Sequence, residues 1–114
     1  DPQQHEAKVS LANLLKQEGR LDEAAGLYEA AVAADPRLKM PRFHLAEIRL
    51  RQGRDLPRAV GLCLEGIALP PRDRDTLFGY FVLTNLYNAL GDGERRDFYT
   101  REGEKLIAQL EKKN

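Results

Sequence analysis

This 114-residue chain has little that invites covalent or metal chemistry. It holds one cysteine, Cys63, so no internal disulfide can form, and no Cys/His cluster shows metal-ligand spacing. Set in the apolar run VGLCLEGIAL, Cys63 reads as a small core residue rather than a reactive thiol. Net charge is missing too. Eighteen basic residues balance eighteen acidic ones, which argues against a nucleic-acid or membrane-surface partner. The most apolar stretch, LFGYFVLTNLYNAL, is too short to span a bilayer and contains Thr84, Asn85 and Asn88, so no membrane insertion of this segment is expected. There is no Gly-rich phosphate loop, nucleophile elbow or metal motif, and His5 and His44 stand 39 residues apart. Neither an enzyme activity nor a cofactor is expected. No secretory leader opens the chain, but neither does an initiating Met, and the compartment stays open between the cytoplasm, slightly favoured, and an exported one.

What is present is helical periodicity. Strand patterns are poor, whereas apolar residues recur at spacings of three and four in segment after segment, so the fold class is all-α. Breakers divide the chain into helices over about 4–18, 22–34, 39–52, 56–69, 75–90 and 94–112. Gly19-Arg20 and Gly53-Arg54 end the first and third, Asp35-Pro36 and Pro70-Pro71 end the second and fourth, and Gly91-Asp92-Gly93 separates the last two. Pro57 belongs in a first turn, where its missing N–H costs little, and Asp92 can cap the last helix. Charge is locally uneven: Arg37, Lys39, Arg42, Arg49, Arg51, Arg54 and Arg58 face only Glu47 and Asp55. These cations read as solvated helix faces, with an acidic partner as the sharper alternative.

The six helices form three hairpins that copy one another. Leu11, Ala12, Gly19 and Arg20 return as Leu45, Ala46, Gly53 and Arg54, each displaced by 34. After one inserted residue in the turn, Ala24, Leu27, Tyr28 and Pro36 correspond to Ala59, Leu62, Cys63 and Pro71. Small side chains at Ala12, Ala24, Ala31, Ala46 and Ala59 let backbones approach, while Leu11, Tyr28, Leu45 and Leu62 fill the space around them. A lone hairpin cannot bury its apolar face, so the copies must stack. Tyr99, Leu106 and Leu110 give the last helix one apolar stripe. Its other face carries Glu94, Arg95, Arg101, Glu104, Lys105 and Glu111, as an end cap requires. The dipeptide Asp1-Pro2 lies one period before Asp35-Pro36. That recurrence predicts the tail of a preceding repeat and a chain excised from a longer protein.

In period and residue pattern the chain resembles the tetratricopeptide repeat family. Leu11-Ala12, Leu15, Ala24, Tyr28 and Pro36 carry the likeness in the first copy, and Leu45-Ala46, Ala59 and Pro71 in the second. The third keeps Tyr80, Leu83, Thr84 and Tyr87 and loses the pattern at Arg96 and Thr100. Lys8, Arg42, Arg49 and Cys63 stand where the family has aromatic or similar large residues. The resemblance implies a right-handed solenoid of three helix-turn-helix repeats, about 5–38, 39–73 and 74–114, in one domain over 1–114. It also implies a concave groove lined by the first helix of each hairpin and binding a protein or peptide segment. Carried over, that groove takes Val9, Asn13, Lys16 and Gln17 from the first repeat, with Glu6. The second contributes Phe43, Glu47, Leu50 and Arg51, with Met40, and the third Phe78, Phe81, Asn85 and Asn88. Val9, Phe43 and Phe81 would form an apolar strip. Asn13, Glu47 and Asn85 would run parallel to it, the amides able to donate to and accept from a peptide backbone. Packing of Phe43 and Phe81 between helices is the alternative. Chaperone-binding members clamp a carboxylate with cations in this groove. Here Val9, Asn13, His44, Phe78 and Val82 stand at those places, so such binding is not expected. Structural or regulatory spacer repeats of a larger, even enzymatic, protein form the second reading. The third is a homo-oligomer through apolar surface left open on the first hairpin.

Overall fold

The computed structural model describes residues 2–112. Its six helices are α1 (Pro2–Gln17), α2 (Leu21–Ala34), α3 (Met40–Gln52), α4 (Leu56–Ile67), α5 (Arg74–Ala89) and α6 (Gly93–Lys112). Each boundary lies within two residues of the one read from the breakers. The expectation attached to Asp1-Pro2 rests on Asp1, outside the described residues.

Local chemistry explains the turns. Gly53 ends α3 with φ 65°, a left-handed conformation that costs glycine little, and its N–H bonds to the carbonyls of Arg49 and Leu50. The residue inserted into this second turn is Asp55, and it too sits left-handed, at φ 54°. Pro57 falls in the first turn of α4. Asp73 opens α5 with a reciprocal capping box, accepting from the Thr76 N–H while the Thr76 hydroxyl accepts from the Asp73 N–H. Asp92 takes the Arg95 N–H at 3.0 Å at the start of α6, the capping role its position suggests.

Packing follows the repeat. Ala12, Ala24, Ala31, Ala46 and Ala59 are all buried, as are Tyr28, Leu45 and Leu62. Cys63 is fully buried, and loss of hydration pushes its thiol pKa up to about 12, leaving it unreactive. α5 packs against both α3 and α4, while α3 packs against α2. Leu11 departs from expectation. It is 49% exposed, and Leu14 is 56% exposed, although their counterparts Leu45 and Ile48 in α3 are at 0%. The periodic pattern placed Leu11 on an apolar face correctly, but α3 has a hairpin packed in front of it and α1, among the described residues, has none. The outer face of α6 is also less polar than expected, since Phe98 and Ile107 are exposed there beside the charged residues.

Phe43 is the hub of the second junction. Its ring is fully buried and lies against Gly66 of α4 and Gly79 of α5, where a side chain on either glycine would collide with it. Glycine is required at both places by this close approach, not by backbone conformation. The Phe78 ring meets Phe43 edge-on at 6.2 Å.

Candidate protein-binding face

The first helices α1, α3 and α5 are joined by side chains in a single cluster. Lys16 of α1 donates to Oε1 of Glu47 on α3 at 2.7 Å and to Nδ1 of His44 at 2.7 Å. Because an ammonium only donates, Nδ1 must accept, which puts the His44 proton on Nε2. The imidazole stacks on Tyr28 of α2 at 5.2 Å between centroids and meets Phe78 of α5 at 5.1 Å. Lys16 also lies 5.9 Å from the centre of the Phe78 ring. Burial first and the Lys16 charge second depress the His44 pKa to about 4, with Glu47 opposing, so His44 is neutral at pH 7. The Tyr28 hydroxyl donates to Oδ1 of Asn13, and burial, reinforced by Glu47, raises its pKa to about 12.

This cluster changes the expected lining. Phe43 leaves it altogether for the core. Val9 is half-buried and shares with Met40 the wall of a cavity of about 830 Å³ at the α1 N-terminal end. Phe81 is 60% exposed. The three therefore form no continuous apolar strip, because the Gly66–Gly79 gap draws the middle member inward. The parallel polar row is broken likewise. Asn13 serves Tyr28 and Glu47 serves Lys16, whereas the half-buried Asn85 forms no side-chain hydrogen bond among the described residues. Of the remaining positions, Gln17 and Arg51 are exposed, and Leu50 and Phe78 are half-buried. Arg51 approaches Glu47 at 3.7 Å, and Asn88 is exposed and accepts from Arg96 at 2.9 Å. His44 stands at a groove position of the repeat without a binding role assigned to it, and Tyr28, expected as core filling, was not among the groove residues. A signal for them existed: Lys16 and Glu47 differ by 31, three short of the 34-residue period, which sets opposite charges side by side on neighbouring first helices.

Of the seven cations from Arg37 to Arg58, Lys39 and Arg42 are buried, while Arg37, Arg51, Arg54 and Arg58 lie on exposed surface, as solvated helix faces would place them. Lys39 is buried and donates to the Pro71 carbonyl, to Thr76 Oγ1 at 3.2 Å and to Asp73 at 2.9 Å, the last contact depressing the Asp73 pKa. Arg42 is buried at one of the aromatic positions and bonds Glu65 and the Pro36 carbonyl, each at 2.8 Å. Arg37 pairs with Asp35, Arg49 with Gln52, Arg54 with Asp22 and Arg58 with Glu29. No group of His, Cys, Asp and Glu among the described residues is arranged to hold a metal ion, and no described helix is long and apolar enough to cross a membrane.

Comparison with protein families fits this arrangement. A tetratricopeptide repeat family model matches residues 9–40, which span most of α1, all of α2 and the first residue of α3. The match covers less than a third of the chain and agrees with six helices in three hairpins. The chain fits a tetratricopeptide-type repeat protein. No curated protein matches it. Tetratricopeptide repeats are in general protein–protein interaction modules.

Proposed function

We propose that the face formed by α1, α3 and α5 binds an extended segment of a partner protein. The observation that carries this reading is on α5: Phe81 stands 60% exposed one helical turn before Asn85, whose amide has no internal partner among the described residues. An exposed ring costs hydration that a partner's apolar side chain would recover, and a free amide can bond a peptide backbone in both directions. Phe78, Leu50 and the exposed Arg51 continue the same face, and the Lys16–His44–Glu47 cluster beneath keeps it rigid, which limits the ordering cost on binding. The three hairpins thus act as one binding unit. Lys16 is neutralised by Glu47, so a bare C-terminal carboxylate finds no free cation at that place.

A fluorescence-polarisation screen of an extended-peptide library against the chain tests this. Binders should emerge, and Phe81→Ala with Asn85→Ala should weaken them by about tenfold or more, an effect of roughly 1.4 kcal/mol. Binders indifferent to both substitutions, or no binders, would count against the reading.

A further inference from the structure

The wedge between successive first helices is filled at one junction and open at the other. Between α3 and α5 it is closed from within. The buried Phe43 ring lies against Gly79, and the buried Lys39 ammonium reaches the Pro71 carbonyl, Thr76 Oγ1 and Asp73. One period earlier, Val9 stands for Phe43 and His5 for Lys39, each 34 residues back, and Pro36 stands for Pro71. Aligning Leu45 with Leu83 puts Met40 and Pro41 where α5 has Phe78 and Gly79. Although Pro41 is larger than Gly79, the shorter Val9 and His5 leave a cavity of about 830 Å³ between α1, the turn after α2 and the start of α3. His5, Glu6, Val9 and Ser10 face it from the side of α1 opposite Leu11. The space therefore follows from side-chain size within the first and second hairpins.

Its chemistry is divided. Val9, Leu38, Met40 and Pro41 give an apolar side, and His5, Glu6, Asp35 and Arg37 a polar one. Glu6 is exposed and forms no ion pair among the described residues. Arg37 donates twice to the same oxygen of Asp35, Oδ1, which leaves Oδ2 open, and its own side chain is 88% exposed. Two carboxylates thus stand against one loosely held cation. We propose that this cavity anchors a partner segment through an aromatic side chain and, two residues away, a Lys or Arg. The ring takes the place that Phe43 fills one repeat on, and the cation the place of Lys39. A ring there removes the apolar wall from water, and the cation complements Glu6 and Asp35. Residues two apart in an extended segment point to one side about 7 Å from each other, close to the rise of about 6 Å between Lys39 and Phe43 along their helix. The inference rests on reading the α1, α3 and α5 face as a site for an extended segment, and adds what that segment carries at its α1 end.

Met40 is the single methionine of the chain, so methyl-13C methionine labelling gives one NMR signal in the cavity wall. The probes are Ac-Gly-Phe-Ser-Lys-Gly-NH2 and its reverse order, Ac-Gly-Lys-Ser-Phe-Gly-NH2. At least one should shift the Met40 signal saturably. Ala in place of its Phe should weaken binding at least about tenfold, and Glu in place of its Lys about threefold. Val9→Phe, which fills the cavity as Phe43 fills its counterpart, should weaken binding at least about tenfold with helicity unchanged by circular dichroism. Glu6→Lys, on exposed surface, should turn the preference toward the Glu peptide. A Met40 signal that neither peptide moves would overturn the proposal, as would wild-type binding by Val9→Phe or equal binding of the Lys and Glu peptides. Absence of binders in the extended-peptide library with an intact Met40 response would fail the wider reading alone. Library binders that leave Met40 silent would fail this one alone.

Discussion

The two junctions between hairpins use different chemistry for the same repeat geometry. Between the first and second hairpins, buried Leu45 and Ile48 are accompanied by a set of polar contacts: Lys16 to Glu47 and His44, Gln52 and Arg54 to Asp22, Arg58 to Glu29. Between the second and third, the centre is the buried Phe43 ring set between Gly66 and Gly79, with Lys39 tying α3 to the start of α5. The difference shows that a helical repeat constrains where surfaces meet, not what holds them. Polar contacts at a partly exposed junction are worth little each, while a buried aromatic in a fitted socket is worth several times more. The first junction, with its exposed ion pairs, should therefore be the more sensitive to salt.

The largest effect is expected from Phe43→Ala, which empties the socket. Truncation of a buried Phe costs about 3–5 kcal/mol, read as a fall in the denaturant midpoint. A loss below about 1 kcal/mol would mean that neighbours collapse into the space and that the second junction does not depend on the ring.

Gly79→Ala should come next. In an exposed helix this change stabilises by nearly 1 kcal/mol, but here the new methyl would strike the Phe43 ring and come within 2.9 Å of Ile67 Cγ2. A net loss of about 1–3 kcal/mol is expected, partly recovered in combination with Phe43→Leu. Additive losses in that double-mutant cycle would break the claim that ring and glycine form one unit.

The first junction should respond to pH. His44 is held neutral with its folded pKa depressed from 6.5 to about 4. The unfolded chain therefore takes up the proton first as pH falls, so its contribution is fully present above about 6.5 and is lost as pH drops toward 4. Lys16 and Glu47 are the charged groups facing it. His44→Phe keeps a ring between Tyr28 and Phe78 and should flatten this part of the stability profile. An equal slope in both proteins would assign the loss to carboxylates instead.

The smallest effect belongs to Arg58→Ala, which removes an exposed pair with Glu29. It should cost no more than about 0.5 kcal/mol and vanish in high salt. A larger loss would promote the surface pairs to a principal support of the first junction.

Much of this architecture was legible in the sequence because its signals are local. Glycine and proline breakers, Asp92 as a cap and small residues at the repeat positions each act within a few residues of where they stand. Packing of Phe43 between helices is the alternative that the sequence offers, but its socket is not legible there, because it is made by Gly66 and Gly79, far along the chain and on two other helices. Leu11 shows the complementary limit: periodicity assigns a residue to a face, but whether that face is covered depends on what packs against it. Asn13 and Asn85 occupy equivalent positions, yet Tyr28 claims the first while no described residue claims the second. At the candidate face, repeat position does not fix availability: Phe43 is buried, and Asn13 and Glu47 are engaged within the molecule.

Cys63 lies fully buried in α4, the helix that follows the first junction and precedes the second. A thiol reagent can reach it only when structure around α4 opens, so its labelling rate is a clock for that opening. Followed in Phe43→Ala and in His44→Phe, the same native sulfur would reveal which end of α4 lets go first, without any probe being introduced.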